Sequence, residues 1–148
     1  MDNPKVSIIV PIYRVEEYIE RCAESLFAQT FDDIEYIFVD DCSPDKSVEI
    51  LQRTLEKYPH RKRLTRIERL SSNSGQGIQL ASGDYTVHCD SDDWMDVHAI
   101  KELYTFALSG HYDMVFYDFY RSDGVSTYAS APRKVSTNNK DFLMSSLL

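Results

Sequence analysis

Val6-Ser7-Ile8-Ile9-Val10-Pro11-Ile12-Tyr13 decides the fold, because this run predicts a strand with no polar face. Four of its first five residues are β-branched and apolar, which is typical of a strand buried on both faces in a parallel sheet. We expect the strand to stop at Pro11, whose ring removes a backbone N–H donor. Tyr13 would then lie just beyond the carboxyl end of the strand.

Helical and extended patterns alternate along the rest of the chain. Apolar residues at helical spacing predict a first helix from Val15 to about Gln29, and Glu35–Val39 predicts a second buried strand. The later predicted elements are helices over 48–58, 78–81 and 97–108 and strands over 64–70, 84–89 and 114–120. This alternation indicates the α/β class, with a mostly parallel sheet and helices on both faces.

Composition narrows the possible functions. The 148 residues include 24 acidic and 16 basic side chains, and the net charge of −8 argues against binding nucleic acid or anionic lipid by general attraction. The three cysteines, Cys22, Cys42 and Cys89, form no CxxC pair. We therefore expect reduced thiols in the cytoplasm rather than disulfides or a zinc site.

The two ends of the chain carry different signals. No apolar run approaches the ~18 residues of a membrane-spanning helix. Met1–Pro4 lacks the basic and then apolar pattern of a signal peptide. Phe142–Leu148 has the pattern of an amphipathic helix that is just beginning. We therefore expect the sequence to be a fragment of a longer protein.

Acidic residues directly follow two of the predicted strands. Ligands of an open α/β sheet bind beyond the carboxyl ends of its strands, and here those ends carry Asp40-Asp41 and Asp90-Ser91-Asp92-Asp93. Two carboxylates ~4 Å apart repel by about 4 kcal/mol at an effective dielectric of 20, so such a cluster needs a counter-charge. Because Asp90 and Asp92 are two residues apart in an extended segment, both should point the same way and suit Mg²⁺ or Mn²⁺.

Other acidic or glycine-rich sites fit the sequence less well. An EF-hand loop starting at Asp90 would need Gly and Glu where Met95 and Lys101 stand. A dinucleotide-binding GxGxxG lacks its third glycine after Gly75-Gln76-Gly77, and no P-loop is present. A phospho-receiver domain carries its acidic pair after the first strand, and it would leave the DxD segment unexplained.

Several ordered stretches resemble the family-2 glycosyltransferases with the GT-A fold. They are Val6–Tyr13, Arg21–Thr30, Val39–Asp45, Gly77–Tyr85 and Asp90–Trp94. Together they cover the chain from about Lys5 to Trp94, and their order makes the resemblance more specific than any single stretch. The resemblance implies a nucleotide-diphospho-sugar transferase-like fold.

The resemblance also implies roles around a nucleotide base. Pro11 and Tyr13 would border the base, and Asp41 would accept a hydrogen bond from it. Asp40 would support the turn that carries Asp41.

The same resemblance makes Asp90-Ser91-Asp92 a DxD motif. Asp92 would ligate Mn²⁺ or Mg²⁺ on the diphosphate, Asp90 would lie near the ribose or the metal, and Asp93 would assist. The implied reaction is metal-dependent transfer of a sugar from a nucleotide-diphosphate donor, with a UDP-sugar favoured, to an acceptor hydroxyl, usually with inversion. The alternative is a non-catalytic or truncated nucleotide-binding module of a larger assembly.

Departures from the family pattern bear on the site. The loop over 73–78 lacks several residues that relatives carry before the Gly-Ile pair, among them an arginine that faces the donor. Arg14 stands where the family usually has asparagine. Relatives place the catalytic base downstream of the DxD motif, and the sequence identifies no residue for that role.

These expectations divide the chain into two regions. Residues 1–121 are expected to form a donor-binding α/β domain, and 122–148 the start of an incomplete acceptor-side region. The resemblance implies a glycan or lipid-linked acceptor in surface polysaccharide synthesis and no nucleic-acid partner. It also implies a cytoplasmic protein, with peripheral association at the inner face of the membrane as an option.

Overall fold

Two compact units make up the chain, Met1–Lys101 and Glu102–Leu148. The structure, a computed structural model, describes residues 3–70, 76–122, 126–129 and 144–145. The predicted division at residue 121 remains a prediction. Among the described residues, no helix combines the length and apolar character needed to cross a membrane.

The first unit is built on a four-stranded parallel sheet with the strand order β3-β2-β1-β4. Its strands are β1 (Val6–Ile12), β2 (Ile34–Asp40), β3 (Thr65–Arg69) and β4 (Tyr85–His88). All of β2 is buried, and β1 is buried except at Pro11. The predicted α/β class with a parallel sheet is confirmed.

Helices cover both faces of this sheet. In this unit they are α1 (Ile19–Phe27), α2 (Ser47–Glu56) and two 3₁₀ helices, Pro59–Leu64 and Gln76–Leu80; a third α-helix, α3 (Ala99–Gly110), begins at the end of this unit and belongs mostly to the second. On one face Phe27 of α1 packs edge-on against Tyr36, with ring centroids 5.2 Å apart. On the other face Leu80 packs against a buried cluster that includes Ile9 and Ile37. Because Tyr36 and Ile37 are adjacent in β2, their side chains point to opposite faces.

The first strand does not stop at Pro11, as predicted, but continues to Ile12. Pairing of β1 with β4 ends at Ile9, while pairing with β2 continues to Ile12. The carbonyl of Ile9 faces β4 and that of Ile12 faces β2. The alternation therefore turns the nitrogen of Pro11 toward β4, which has already ended, so the proline removes no ladder hydrogen bond.

The second unit departs most from the predicted elements. The strand predicted over 114–120 is two short strands, β5 (Phe116–Tyr117) and β6 (Tyr120–Ser122). β6 pairs antiparallel with β7 (Thr127–Ala129), in a region for which no helix or strand was predicted. β8 (Met144–Ser145) pairs parallel with β5, where the start of a helix was expected. The other residues of 130–148 and the first half of the loop over 73–78, residues 73–75, lie outside the described residues.

A buried carboxylate ties the amino ends of β1 and β2 to the segment before β4. Oε1 of Glu35 accepts hydrogen bonds from Ser7 Oγ at 2.6 Å and from the N–H and Oγ of Ser82 at 2.6 and 2.8 Å. Ser7 Oγ accepts from the N–H of Gly83 at 2.8 Å, and a Cβ at Gly83 would lie only 2.8 Å from the Ser7 nitrogen. Burial raises the pKa of Glu35, but the hydrogen bonds and Arg66 lower it more, so the pKa lies below its usual value.

Replacing Glu35 with glutamine should flatten the acid dependence of stability. Because folding lowers the pKa of Glu35, its contribution is fully present above the unfolded-state pKa of about 4.3 and is lost as the pH falls through the lower folded-state value. Going from pH 7 to pH 3, the wild type should lose more unfolding free energy than Glu35→Gln, and proton linkage limits this difference to about 1.8 kcal/mol. Urea unfolding followed by circular dichroism measures this, with Glu49→Gln on the exposed face of α2 as the control. Equal acid sensitivity of the three proteins would contradict it.

Candidate functional site

The carboxyl ends of β1, β2 and β4 meet at one edge of the sheet. Because β1 lies between the other two, β2 and β4 are separated by two strand spacings, about 10 Å. Asp40 is in register with Ile12, whereas β4 ends in register with Ile9, three residues or about 10 Å earlier along β1. The carboxyl end of β2, with Asp40-Asp41, therefore extends further along the strand direction than the carboxyl end of β4, which precedes Asp90.

Asp40 is buried and holds the turn that follows β2. Its Oδ1 accepts a hydrogen bond from the N–H of Ser43 at 2.8 Å, and its Oδ2 lies 3.6 Å from Nε of Arg69. Within this turn Cys42 has a φ of 59°, a left-handed conformation that is costly for residues other than glycine. Its thiol is exposed and donates to the carbonyl of Leu70 at 3.0 Å.

Asp41 presents an unused hydrogen-bond acceptor in this turn. Its Oδ1 is buried, yet among the described residues it has no hydrogen-bond partner. A buried polar oxygen without a partner costs about 1–3 kcal/mol. An N–H donor of a ligand would remove that cost.

Pro11 and Tyr13 lie exposed at the end of β1. The side chain of Tyr13 is 52% exposed, and the guanidinium of Arg14 lies 5.4 Å from the centre of its ring. Arg14 also adopts a positive φ, 53°, and its N–H donates to Ser43 Oγ at 2.8 Å. The end of β1 is thus tied to the turn that Asp40 holds, and an exposed aromatic ring borders it.

Asp90–Asp93, which we name the acidic turn, gathers three carboxylates. The N–H of Asp93 donates to the carbonyl of Asp90 at 3.0 Å and closes the turn. Carboxylate oxygens of Asp90, Asp92 and Asp93 lie within 4.8 Å of one another, and all three side chains are exposed. They meet through this turn, not through the alternation of an extended segment that we expected. Burial, together with the charges of Asp92 and Asp90, raises the pKa of Asp93.

The acidic turn has the chemistry of a site for a hard cation. Mg²⁺ prefers oxygen ligands at about 2.1 Å in an octahedron, so neighbouring ligands lie roughly 3.0–4.2 Å apart. The oxygens here lie within 4.8 Å, so small side-chain movements suffice to close around one ion. Asp90 and Asp92 are thus brought together as predicted ligands, with Asp93 beside them.

The residues that support the acidic turn were not predicted. The guanidinium of Arg21 on α1 lies 3.3 Å from the centre of the Trp94 ring. Ser25, one turn further along α1, and Gln29, two residues beyond the end of α1, bond to the backbone of Met95 and Asp96. Their spacing of four residues was the available signal, but polar residues at that spacing are also typical of a solvated helix face.

Comparison with known proteins bears on these features. Residues 7–145 match the profile of the family described as Glycosyl transferase family 2. The glycosyltransferase GlyA of Streptococcus pneumoniae serotype 4 is 34% identical over 130 residues, which are 83% of this chain and 18% of GlyA. A poly(ribitol-phosphate) beta-glucosyltransferase of Bacillus spizizenii is 36% identical over 118 residues, 74% of this chain and 18% of that protein.

A solved structure matches as well. TarS 1–349 of Staphylococcus aureus in complex with UDP superposes with a TM-score of 0.73 at 28% identity, covering 87% of this chain and 38% of TarS 1–349. The chain thus spans only about a fifth of the two curated relatives and well under half of this structure. The predicted GT-A architecture is confirmed by this likeness.

Proposed function

The chain belongs to glycosyltransferase family 2, and on that premise we propose that it carries the nucleotide-sugar site of a glycosyltransferase. Residues 1–121 bind the donor, and the whole protein transfers its sugar to an acceptor hydroxyl in surface polysaccharide synthesis. The acceptor is a glycan or a lipid-linked molecule. We place the protein in the cytoplasm, with peripheral association at the inner face of the membrane.

The unpaired oxygen of Asp41 is the observation that carries this proposal. Oδ1 of Asp41 is buried without a partner among the described residues, at the end of a strand where an α/β sheet binds ligands. A uracil base offers an N3–H donor that matches it. Pro11 and the exposed ring of Tyr13 then border the base, and Asp40 holds the turn through Ser43.

UDP is the favoured nucleotide. Uracil has an N3–H where cytosine has an unprotonated nitrogen, and a carboxylate accepts only from the former. The relative TarS was solved in complex with UDP, which agrees with this choice.

The acidic turn supplies the second half of the donor site. Asp92 ligates Mn²⁺ or Mg²⁺, Asp90 lies near the metal or the ribose, and Asp93 assists. When bound, the ion neutralises charge on the leaving diphosphate. The two acidic groups are about two strand spacings apart at the sheet edge, which suits a base at one and a diphosphate at the other.

The acceptor step needs a general base outside the assigned residues. In an inverting transfer a carboxylate removes the proton of the acceptor hydroxyl as that oxygen attacks the anomeric carbon. We assign no residue to this role. A second reading is a nucleotide-binding module that serves a larger assembly without turnover, which agrees with the small share of the relatives that this chain spans.

Calorimetric titration with UDP, GDP and CDP, each with and without Mn²⁺, tests the donor site. We expect UDP to bind most tightly and its affinity to rise with Mn²⁺. Absence of binding to every nucleotide in the presence of metal would overturn the proposal. Transfer or hydrolysis of a UDP-sugar by the full-length protein separates the enzyme from the module.

Replacing Asp41 with asparagine should erase the preference for uridine over cytidine nucleotides. The carboxylate only accepts hydrogen bonds, whereas an amide also donates and so fits the N3 of cytosine. We expect UDP to bind the wild type at least about tenfold more tightly than CDP, and Asp41→Asn to bind the two about equally. The ratio of the two dissociation constants, measured with Mn²⁺ present, cancels effects on the metal. An unchanged ratio would place the base elsewhere.

A further inference from the structure

One face of α1 follows the chain from the acidic turn toward α3. Contacts to this segment come from Arg21, Cys22 and Ser25, which share a face of α1 because they recur at intervals of three or four residues, and from Gln29, two residues beyond the end of the helix. They meet Trp94, Asp90, Met95 and Asp96, respectively. We name these four residues the template, because the acidic turn and the residues that follow it lie along them.

The first contact is a stack between Arg21 and Trp94, the residue that follows the acidic turn. The guanidinium carbon lies 3.3 Å from the ring centre, which is van der Waals contact between two flat groups. Trp94 is 39% exposed, so the ring is held mainly from this side. The stack fixes the backbone immediately after Asp93.

Gln29 makes the most complete set of contacts. This side chain is 2% exposed, and its Nε2 donates to the carbonyls of Asp96 at 2.6 Å and Ser25 at 3.1 Å. Its Oε1 accepts from the N–H of Ile100 at 3.1 Å. A single buried amide thus satisfies backbone groups of the helix and of the segment together.

Ser25 and Cys22 fill the interval between these two residues. Ser25 Oγ accepts from the N–H of Met95 at 3.1 Å and donates to the carbonyl of Cys22 at 2.7 Å. The buried thiol of Cys22 lies 3.8 Å from the carbonyl of Asp90. Each residue of the template therefore meets backbone or ring atoms and leaves the carboxylates of the acidic turn directed to solvent.

We propose that Arg21 and Gln29 are positioning residues for the donor diphosphate site, holding the acidic turn so that its three carboxylates can share one cation. The proposal rests on the metal-binding role proposed above for Asp90 and Asp92. Outer partners that fix metal ligands commonly change metal affinity without touching the ion. Arg21 acts through Trp94, and Gln29 through the backbone of Asp96.

An electrostatic role and a positioning role of Arg21 predict opposite effects of Arg21→Ala on cation binding, so this variant distinguishes the two roles. Arg21→Ala removes a positive charge near an acidic cluster, so electrostatics alone would strengthen cation binding. If Arg21 positions the turn, the same change weakens binding, on the order of tenfold. Trp94→Leu keeps the charge and removes the stack, and it should weaken binding to a similar degree.

Trp94 is the single tryptophan of the chain, so its fluorescence reports directly on the turn. Mn²⁺ in the presence of UDP is titrated into the wild type, Arg21→Ala, Arg21→Lys and Arg53→Ala, an exposed arginine of α2 that serves as the control. Calorimetry replaces fluorescence for Trp94→Leu and for Trp94→Leu combined with Arg21→Ala. We expect Arg53→Ala to match the wild type, Arg21→Lys to recover part of the loss, and the double variant to lose no more than either single one.

Two results would overturn the proposal, and they differ from each other. Arg21→Ala that binds Mn²⁺ as tightly as the wild type, or more tightly, removes the positioning role and leaves the donor site standing. A wild type that binds no Mn²⁺ with UDP removes the metal site and the positioning role together. Thermal unfolding of each variant separates a displaced turn from a lost fold, since Arg21 is exposed and its removal opens no cavity.

Discussion

Replacing Asp92 with alanine is expected to weaken Mn²⁺-dependent binding of UDP about a hundredfold, a loss of about 2.8 kcal/mol, and to leave the fold intact. The change removes one of three neighbouring oxygen ligands from a hard cation. Asp92 is exposed, so no core cavity forms. After burial, the charge of Asp92 is the largest cause of the raised pKa of Asp93, so its removal relieves repulsion.

The measurement is calorimetric titration of UDP with and without Mn²⁺, together with thermal unfolding. Asp92→Asn keeps one oxygen ligand and should fall between the wild type and Asp92→Ala. Asp84→Asn is the matched control, because Asp84 is an exposed aspartate ion-paired with Lys5 near the amino end of the sheet. Metal-dependent affinity in Asp92→Ala equal to that of the wild type would remove Asp92 from the site.

The core of the fold was predictable because β1 and β2 are buried on both faces. Such strands need apolar side chains at nearly every position, so the sequence itself marks them. The extent of β1 was not predictable, because whether Pro11 ends the strand depends on where β4 ends. The strands β7 and β8, and the division of the strand predicted over 114–120 into β5 and β6, escaped prediction because runs of two or three residues carry no periodicity.

The site was predictable to the extent that it lies at strand ends. Asp40 ends β2, Asp41 follows it, and the acidic turn begins two residues after the end of β4, so their common edge was predictable from the parallel sheet. The contacts of Arg21 and Gln29 were not predictable, because a polar residue on or near a helix has the same sequence pattern whether it contacts water or a neighbouring backbone. Only the packing of α1 against the segment after β4 distinguishes the two.

Replacing Arg61 with alanine should lower the unfolding free energy by about 2–6 kcal/mol, at about 1–3 kcal/mol for each of two buried carbonyls that lose their donor. The arginine is 3% exposed, and its guanidinium donates to the carbonyls of Phe27 at 3.2 Å, Gln29 at 2.7 Å and Asp32 at 3.4 Å. These carbonyls lie at and just beyond the end of α1, where helical acceptors have no partner within the helix. Truncation leaves the carbonyls of Phe27 and Gln29 buried without this donor and opens a cavity.

Denaturant unfolding followed by circular dichroism measures this loss, with Arg63→Ala in the same 3₁₀ helix as the matched control. Arg63 is exposed, and its truncation should change stability by less than about 0.5 kcal/mol. Arg61→Lys keeps the charge, but a lysine ammonium cannot donate to several carbonyls in one plane. Its unfolding free energy should therefore lie between those of Arg61→Ala and Arg63→Ala. If Arg61→Ala is as stable as Arg63→Ala, water satisfies the end of α1. Gln29 connects this site to the acidic turn, because its carbonyl accepts from Arg61 and its side chain donates to Asp96. If Arg61 stabilises the end of α1, Arg61→Lys should weaken Mn²⁺ binding at the acidic turn. If water satisfies the end of α1, Arg61→Lys should leave the Mn²⁺ affinity unchanged.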